Sequence, residues 1–296
     1  MLSVTALYHF VRIDDVDQLR ARLFEIAQRR GIKGTLILAE EGINGTICGT
    51  DEALDELLQV CQSIGCPNPR RDPVSEVPFR RLFIHKKNEI VTMGVRGIDP
   101  TRDRGVYVDP EQWNELIDNP NIIVIDTRND FEVRLGTFES AENPNTVSFR
   151  QFPQWVNENK ARLERAEGVA MFCTGGIRCE KATSYLTTMG IERTYHLKGG
   201  ILRYLKETDK SDSRFSGDCF VFDERIAVGH ELTINHEITM CYGCRHPVDE
   251  TMRADPRYEE GVSCPDCFAD TSDEQKAKFR MRSQQFKDER VQRSNK

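Results

Sequence analysis

The chain has 296 residues, 38% of them hydrophobic and 30% charged, with a formal net charge of −7 and ten cysteines. That length suits two or three domains of about 100–200 residues each, and the composition is that of a globular chain rather than a disordered or fibrous one. No apolar run approaches the ~20 residues of a membrane span, and Met1-Leu2-Ser3-Val4-Thr5 lacks the basic and apolar regions of a secretion signal, so a cytoplasmic location is expected, where paired cysteines serve metal binding or thiol chemistry rather than disulfides.

In chain order, residues 4–12 are rich in strand formers. Asp14 or Asp15 caps a helix whose apolar positions Val16, Leu19, Leu23 and Ile26 recur at helical spacing, and Gly31 ends it. A strand is expected at 34–39, a turn at Asn44-Gly45 and a strand at Thr46-Ile47-Cys48. Asp51 opens a second helix with Leu54, Leu57, Leu58 and Cys61 on one face, and a last strand covers 81–85. The order β-α-β-β-α-β predicts a ferredoxin-like module over residues 1–91, a fold that hosts many chemistries. Cys48, Cys61 and Cys66 read as packing residues within it. Residues 92–108 mix glycine, proline and charge without apolar periodicity and read as a linker.

From Val108 the pattern turns βαβ-like. Pro110–Ile117 reads as a helix, Asn121–Asp126 and Gly168–Phe172 as short buried strands, and Glu180–Met189 and Ile201–Glu207 as helices. Short apolar strands alternating with helices predict a parallel sheet covered on both faces, over residues 109–215. In such sheets the functional groups stand at the carboxyl ends of strands, where Asp126 and Cys173 lie.

The segment after the second strand is Cys173-Thr174-Gly175-Gly176-Ile177-Arg178-Cys179-Glu180-Lys181. Two glycines let the backbone curl so that successive N–H groups of Thr174, Gly175, Gly176 and Ile177 point inward, and the following helix adds its positive end. Arg178 brings a permanent positive charge. All three favour the thiolate, the nucleophilic form of Cys173, and make an anion cradle around it. Cys179 either resolves an oxidised or persulfidated Cys173 or packs on the helix.

Beyond the sheet, Cys241-Tyr242-Gly243-Cys244 and Cys264-Pro265-Asp266-Cys267 form two C-x2-C pairs separated by 19 residues. Each pair puts two thiolates on one tight turn, and two turns complete a tetrahedron, the pattern of a structural zinc site with no open position. It defines a cysteine-rich segment over 216–271. Cys219, among Phe220, Val221 and Phe222, is a core position. His196 either approaches the pocket or packs. A basic tail, 272–296, holds eight Lys/Arg against four Asp/Glu. Its Lys276, Lys278, Arg280 and Arg282, with Arg70, Arg71, Arg80, Arg81, Lys86 and Lys87, are candidate phosphate contacts; the other reading is ordinary solvated surface.

The loop from Cys173 to Arg178 resembles the rhodanese active-site loop, Asp126-Thr127-Arg128 with Glu132 and Gly136 resembles that family's second signature, and Leu197-Lys198-Gly199-Gly200 its third. The resemblance covers residues 110–208. Rhodanese-like phosphatases have a loop one residue longer, so phosphatase activity is not expected. Three further segments together resemble the bacterial rhodanese-domain tRNA uridine hydroxylases over nearly the whole chain: Glu40-Glu41-Gly42-Ile43-Asn44-Gly45-Thr46, the loop Cys173–Lys181, and Gly217-Asp218-Cys219-Phe220-Val221-Phe222-Asp223. That resemblance implies conversion of the wobble uridine to 5-hydroxyuridine with molecular oxygen, an essential Cys173, and a tRNA anticodon stem-loop as partner. Asp126 and Arg128 would support the loop.

The residues alone do not reach hydroxylation. No G-x-G-x-x-G follows a strand, so there is no flavin or nicotinamide motif; no iron triad stands out, no His-x-Glu precedes a cysteine pair as in zinc deaminases, and no electron donor is indicated. Two uses of Cys173 are open: addition to C6 of uracil, which makes C5 electron-rich, or an oxidised sulfur that carries oxygen. The alternative functions are a persulfide-carrying sulfurtransferase and a non-catalytic adaptor. Cys173 and Arg178 count against the adaptor, and the full-length resemblance favours the hydroxylase.

Overall fold

A computed structural model describes residues 1–294 of the chain. Strand β1 (Leu2–Phe10), helix α1 (Val16–Arg29), strands β2 (Lys33–Ala39) and β3 (Gly42–Thr50), helix α2 (Asp51–Gln62) and the short strand β4 (Asp72–Pro73) give the expected β-α-β-β-α-β order. Asp15 caps α1 by accepting the Gln18 N–H, and Thr50 caps α2 by accepting that of Ala53. A fifth strand, β5 (Leu82–Lys86), pairs parallel to β2, so the sheet runs β4-β1-β3-β2-β5. The strand expected at 81–85 therefore forms, but at the opposite edge from the last ferredoxin-like position. That position falls to Asp72–Pro73, where a proline is tolerated because the edge asks for few donors.

The expected turn at Asn44-Gly45 is also corrected. The hairpin turns at Glu40-Glu41, and Asn44 and Gly45 lie inside β3. Gly45 is there for close approach: a Cβ on it would sit 2.0 Å from the Thr35 carbonyl oxygen. Asn44 Nδ2 donates to the Ile90 carbonyl oxygen at 2.9 Å, which ties the strand to the chain leaving the module.

Strand alternation divides this sheet. Leu7, Leu36, Leu38, Ile43 and Ile47 pack on one face against Leu19, Leu23, Leu54, Leu57 and Leu58 of the two helices. Ala6, Tyr8, Phe10, Thr35, Ile37, Asn44 and Thr46 project from the other face, which no helix of the module covers.

The second unit comprises β6 (Val106–Val108), α3 (Pro110–Ile117), β7 (Ile122–Asp126), α4 (Asp130–Leu135), β8 (Gly136–Phe138), α5 (Phe152–Arg165), β9 (Gly168–Phe172), α6 (Ile177–Thr188), β10 (Thr194–Leu197), α7 (Gly200–Glu207) and β11 (Phe215–Gly217). Its main sheet is parallel, in the order β6-β10-β9-β7, and β11 pairs with β8 beside it. Ala170 and Phe172 of β9 face a core with Trp113, Ile201 and Tyr204, while Val169 and Met171 face Phe152, Val156 and Leu186. Helices thus cover both faces, as a parallel sheet requires.

The stretch 92–108, read from sequence as a linker, carries β6 and buries Met93 to 1% exposure against the second unit. Three apolar residues scattered through it (Met93, Val95 and Ile98), with Val91 just before it, have no period but share that core.

Past β11 come the pair β12 (Cys219–Phe220) and β13 (Ala227–Val228), the pair β14 (Thr239–Met240) and β15 (Pro247–Val248), and helices α8 (Glu250–Ala254) and α9 (Asp273–Ser294). The segment 216–271 divides. Cys219, Val221 and Val228 join the parallel-sheet core, whereas Cys241, Val248, Cys264 and Cys267 form a small cluster of their own. No helix among the described residues is long and apolar enough to cross a membrane.

Candidate active site

Cys173 follows the last residue of β9 and is 1% exposed. Its Sγ accepts the Gly176 N–H at 3.1 Å, the inward curl expected of the glycine pair. Gly176 sits at φ +108°, a region glycine enters without strain. The third rhodanese-like signature holds the loop from behind: the first turn of α7 gives the Ile201 and Leu202 N–H groups to the carbonyl oxygens of Cys173 and Thr174, at 3.0 and 3.1 Å.

Burial alone would push the Cys173 thiol up. The Cys179 side chain, the Arg178 guanidinium and the backbone N–H groups of Cys179 and Gly176 more than offset it and bring Cys173 down to about 6. Cys179 is fully buried and shifts the other way, raised by that burial and by its hydrogen bond to Cys173. It lies 3.5 Å from Thr127 Oγ1. Cys179 thus lies beside the Cys173 thiolate as the protonated member of the pair.

Arg178 does not point a bare charge into the loop. Its guanidinium makes a bidentate pair with Glu132, with Nη1 to Oε2 at 2.7 Å and Nη2 to Oε1 at 2.8 Å, and Nη2 also reaches Thr174 Oγ1 at 3.3 Å. Glu132 is fully buried; burial raises its pKa, but the guanidinium outweighs this and holds it below the ordinary carboxylate range. The same Glu132 closes a capping box at the start of α4. Asp126 and Arg128 form a second fully buried bidentate pair, with Nε to Oδ1 at 2.9 Å and Nη2 to Oδ2 at 2.6 Å. Arg128 also donates to the Gly136 carbonyl oxygen. Neither Asp126 nor Arg128 lines the opening over Cys173, so both brace the strand end.

That opening is a cleft of ≈1110 Å³ between the uncovered face of the first sheet and the cysteine loop. Cys173, Thr174, Gly175, Ile177, Arg178 and Glu180 form its floor; Tyr8, Phe10, Ile37 and Asn44 form the facing wall. The two units are locked by Lys181, which is 1% exposed and paired with Glu41 at 2.8 Å and Glu89 at 2.7 Å. Glu41 belongs to the Glu40–Thr46 segment, whose role is thus to dock one unit on the other beside the thiol.

Sequence reasoning gave no role to Tyr8, Tyr107, Arg104, Glu180 or Lys181. Glu180 Oε1 accepts from Tyr8 Oη at 2.8 Å and from Tyr107 Oη. Tyr8 carried one available signal, its place on the strand face opposite Leu7. His196 does not reach the cleft: it is 1% exposed, packs on Tyr107 at 4.2 Å, and burial lowers it to about 4, so it is a neutral packed ring.

Of the ten bases nominated from sequence, Arg70 and Lys87 line the cleft. Arg71 pairs with Asp55, Arg80 with Glu224, and Lys86 with Asp17, while Arg81 lies outside it. In α9, Lys276 covers the Phe268 ring, Lys278 pairs with Glu274, Arg280 with Glu259, and Arg282 donates to the Tyr242 carbonyl oxygen. Among the described side chains, Lys276, Lys278, Arg280 and Arg282 thus engage partners within the C-terminal segment, and none of them lines the cleft. Arg104, Lys198, Arg203, Lys206 and Arg225 stand at the cleft instead.

The four distal cysteines converge. Their sulfurs all lie within 4.8 Å of one another, with Cys241–Cys267 at 3.9 Å and Cys244–Cys264 at 3.7 Å. Thiolates about 2.3 Å from a tetrahedral ion stand about 3.8 Å apart, close to these two pairs, so the donor set suits a zinc-sized cation. The cluster docks on α4 through His246 stacked on Phe131 at 4.3 Å and Asp266 paired with Arg134 at 2.7 Å.

Comparison with known proteins matches this architecture piece by piece. The model of the UPF0176 acylphosphatase like domain covers residues 2–90, and that of the rhodanese-like domain covers residues 109–207. Proteins named tRNA uridine(34) hydroxylase align along both units and the cysteine cluster. That of Agrobacterium fabrum is 48% identical over 96% of this chain and 90% of its own length. That of Mesorhizobium japonicum is 49% identical over 96% and 92%, and that of Gluconobacter oxydans 46% identical over the same shares. With relatives of that name 46–49% identical over 96% of its length and the rhodanese-like model matched within it, the chain belongs to the tRNA uridine(34) hydroxylase family.

Proposed function

We propose that this protein hydroxylates the wobble uridine of tRNA at C5, using molecular oxygen and the Cys173 thiolate. The observation that carries the reading is a stabilised thiolate at the floor of a cleft large enough for a nucleotide, in a chain of this family. Addition of the sulfur to C6 moves an electron pair toward C5 and O4, and the enolate carbon C5 takes up the oxygen electrophile. Loss of the C5 proton and departure of the thiolate restore the double bond. One atom of oxygen enters the base; the other leaves as water with two electrons and two protons from a reductant. Nucleoside analysis of tRNA from cells lacking the gene tests the reading. 5-Hydroxyuridine is expected to vanish and to return with the wild-type gene. A lost thiouridine with 5-hydroxyuridine intact would favour the sulfurtransferase.

The base must leave its stack to reach the cleft floor, which an anticodon loop permits at little cost. Phosphates then run past the basic rim. Replacing Lys87 or Arg104 by alanine is expected to weaken stem-loop binding at every sequence and to lower the salt slope by about one per residue, whereas Arg81→Ala is expected to leave it unchanged. A titration of binding against salt checks this; equal slopes for all variants place the RNA elsewhere.

The same reading gives the distal cysteines a structural zinc, held by Cys241, Cys244, Cys264 and Cys267. Four thiolates leave it no open position, so it contributes folding energy and no chemistry. Protein purified without chelator is expected to carry about one zinc per chain. Cys244→Ser should lose the metal and make residues 239–268 protease-sensitive, while Cys173 keeps its alkylation rate. Metal-free protein that resists protease equally well refutes the zinc.

A further inference from the structure

Glu180 stands in the first turn of α6 and draws two phenols onto one oxygen: Tyr8, from the facing sheet, and Tyr107, from β6. All three line the cleft. Burial and the Glu180 carboxylate raise both phenols above the ordinary tyrosine value, so both keep their protons at neutral pH. A phenol has one proton to give, and here each is committed to Glu180. What Tyr8 offers to anything else is its oxygen lone pairs, whereas Tyr107 is also held by the Arg104 guanidinium. At Tyr8 the cleft therefore presents an acceptor. Tyr8 Oη is 2.7 Å from where a Cβ on Gly176 would lie, and Gly176 donates its N–H to Cys173 Sγ. Tyr8 Oη thus borders the thiolate loop from the facing wall.

We propose that Tyr8 is a specificity-determining residue that selects uracil by accepting its N3–H. This rests on the reading of the cleft as the site of a flipped pyrimidine. A sulfur attacks C6 from the face of the ring, while N3–H projects in the ring plane from the opposite edge, toward a group beside the thiolate and not on it. Of the two RNA pyrimidines, uracil carries a hydrogen at N3 and cytosine a lone pair. Acceptor against acceptor leaves two desolvated polar atoms unpaired, and that mismatch is the costly case. Because Glu180 fixes the Tyr8 phenol proton, Tyr8 cannot rotate its hydroxyl to suit cytosine without breaking that partly buried hydrogen bond.

The test uses the full chain and anticodon stem-loops bearing uridine, cytidine or 3-methyluridine at the target position. The wild type is expected to bind the uridine loop about tenfold or more tighter than either other loop. 3-Methyluridine keeps the uracil carbonyls but replaces the N3 hydrogen with a methyl group, so it removes the donor and adds bulk, and the hydrogen bond is read from the comparison with cytidine and from Tyr8→Phe. Tyr8→Phe, which keeps the ring, is expected to lower affinity for the uridine loop and leave the other two unchanged, so that the preference falls toward one. Its Cys173 alkylation rate, equal to wild type, confirms an intact loop. Equal binding of the three loops by wild type, or full preference retained in Tyr8→Phe, overturns the inference while leaving hydroxylation standing. A chain that binds none of the loops overturns the RNA reading and this inference with it.

Discussion

Cys173→Ser is expected to make no detectable 5-hydroxyuridine and to fold as the wild type does. Removing a covalent nucleophile elsewhere lowers turnover by orders of magnitude, on the order of 10⁴-fold or more. Here the cause is specific. The loop lowers a thiol to about 6, so that the thiolate predominates at neutral pH, whereas a serine hydroxyl remains protonated under the same field. The fold should survive because the change is one buried atom that can still accept the Gly176 N–H. Stem-loop binding, zinc content and far-UV circular dichroism check the fold; mass spectrometry of digested tRNA checks the chemistry. Modification above about a tenth of wild type would take Cys173 out of the reaction. Cys179→Ala gives the internal comparison: it removes one donor to the thiolate and is expected to slow the reaction without abolishing it.

Much of the site was legible because its parts are local. The cysteine, the glycine pair and the helix start lie within six residues, and strand-turn-helix chemistry alone places them at the carboxyl end of a strand. The four distal cysteines were legible for the same reason, since spacing on two turns prescribes a tetrahedron. The polar lining was not, because it comes from distance in the chain. Tyr8 meets Glu180 across 172 residues and Lys181 meets Glu41 across 140. Nothing in the neighbourhood of Tyr8 marks it except its strand phase. A net basic count likewise says nothing of where each charge finds its partner, and Lys278, Arg280 and Arg282 of α9 find partners within the C-terminal segment. The two-residue strand at Asp72–Pro73 carries too little pattern to read, while the better-patterned strand after it pairs at the far edge.

The pair Arg178–Glu132 carries the other large effect, and its two members should act in opposite directions on Cys173. From sequence, Arg178 was expected to close an anion cradle; in the structure its fork is taken up by Glu132, so its main task is to fix the loop and to lend the thiolate a partly balanced charge. Removing one partner of a buried ion pair leaves the other charge unpaired in a poor solvent, at a cost of about 3–5 kcal/mol. Both Arg178→Ala and Glu132→Gln should therefore unfold at clearly lower denaturant than wild type. Their thiols should diverge. Without the guanidinium, a buried carboxylate near Cys173 has no counter-charge, and the thiol should rise toward or beyond the ordinary ~8.5. With Glu132 neutral, the guanidinium acts on the thiolate alone, and the thiol should fall below its wild-type value. The measurement is alkylation rate against pH. In wild type the reactive form is present above about 6 and is lost as pH falls through that value. In Arg178→Ala the midpoint moves up, so that reaction at pH 7 is slow; in Glu132→Gln it moves down. Arg178→Lys should recover part of the thiolate but little of the stability, since a point charge cannot satisfy both carboxylate oxygens. Midpoints that move together, or not at all, would show that the pair is scaffolding without influence on the nucleophile.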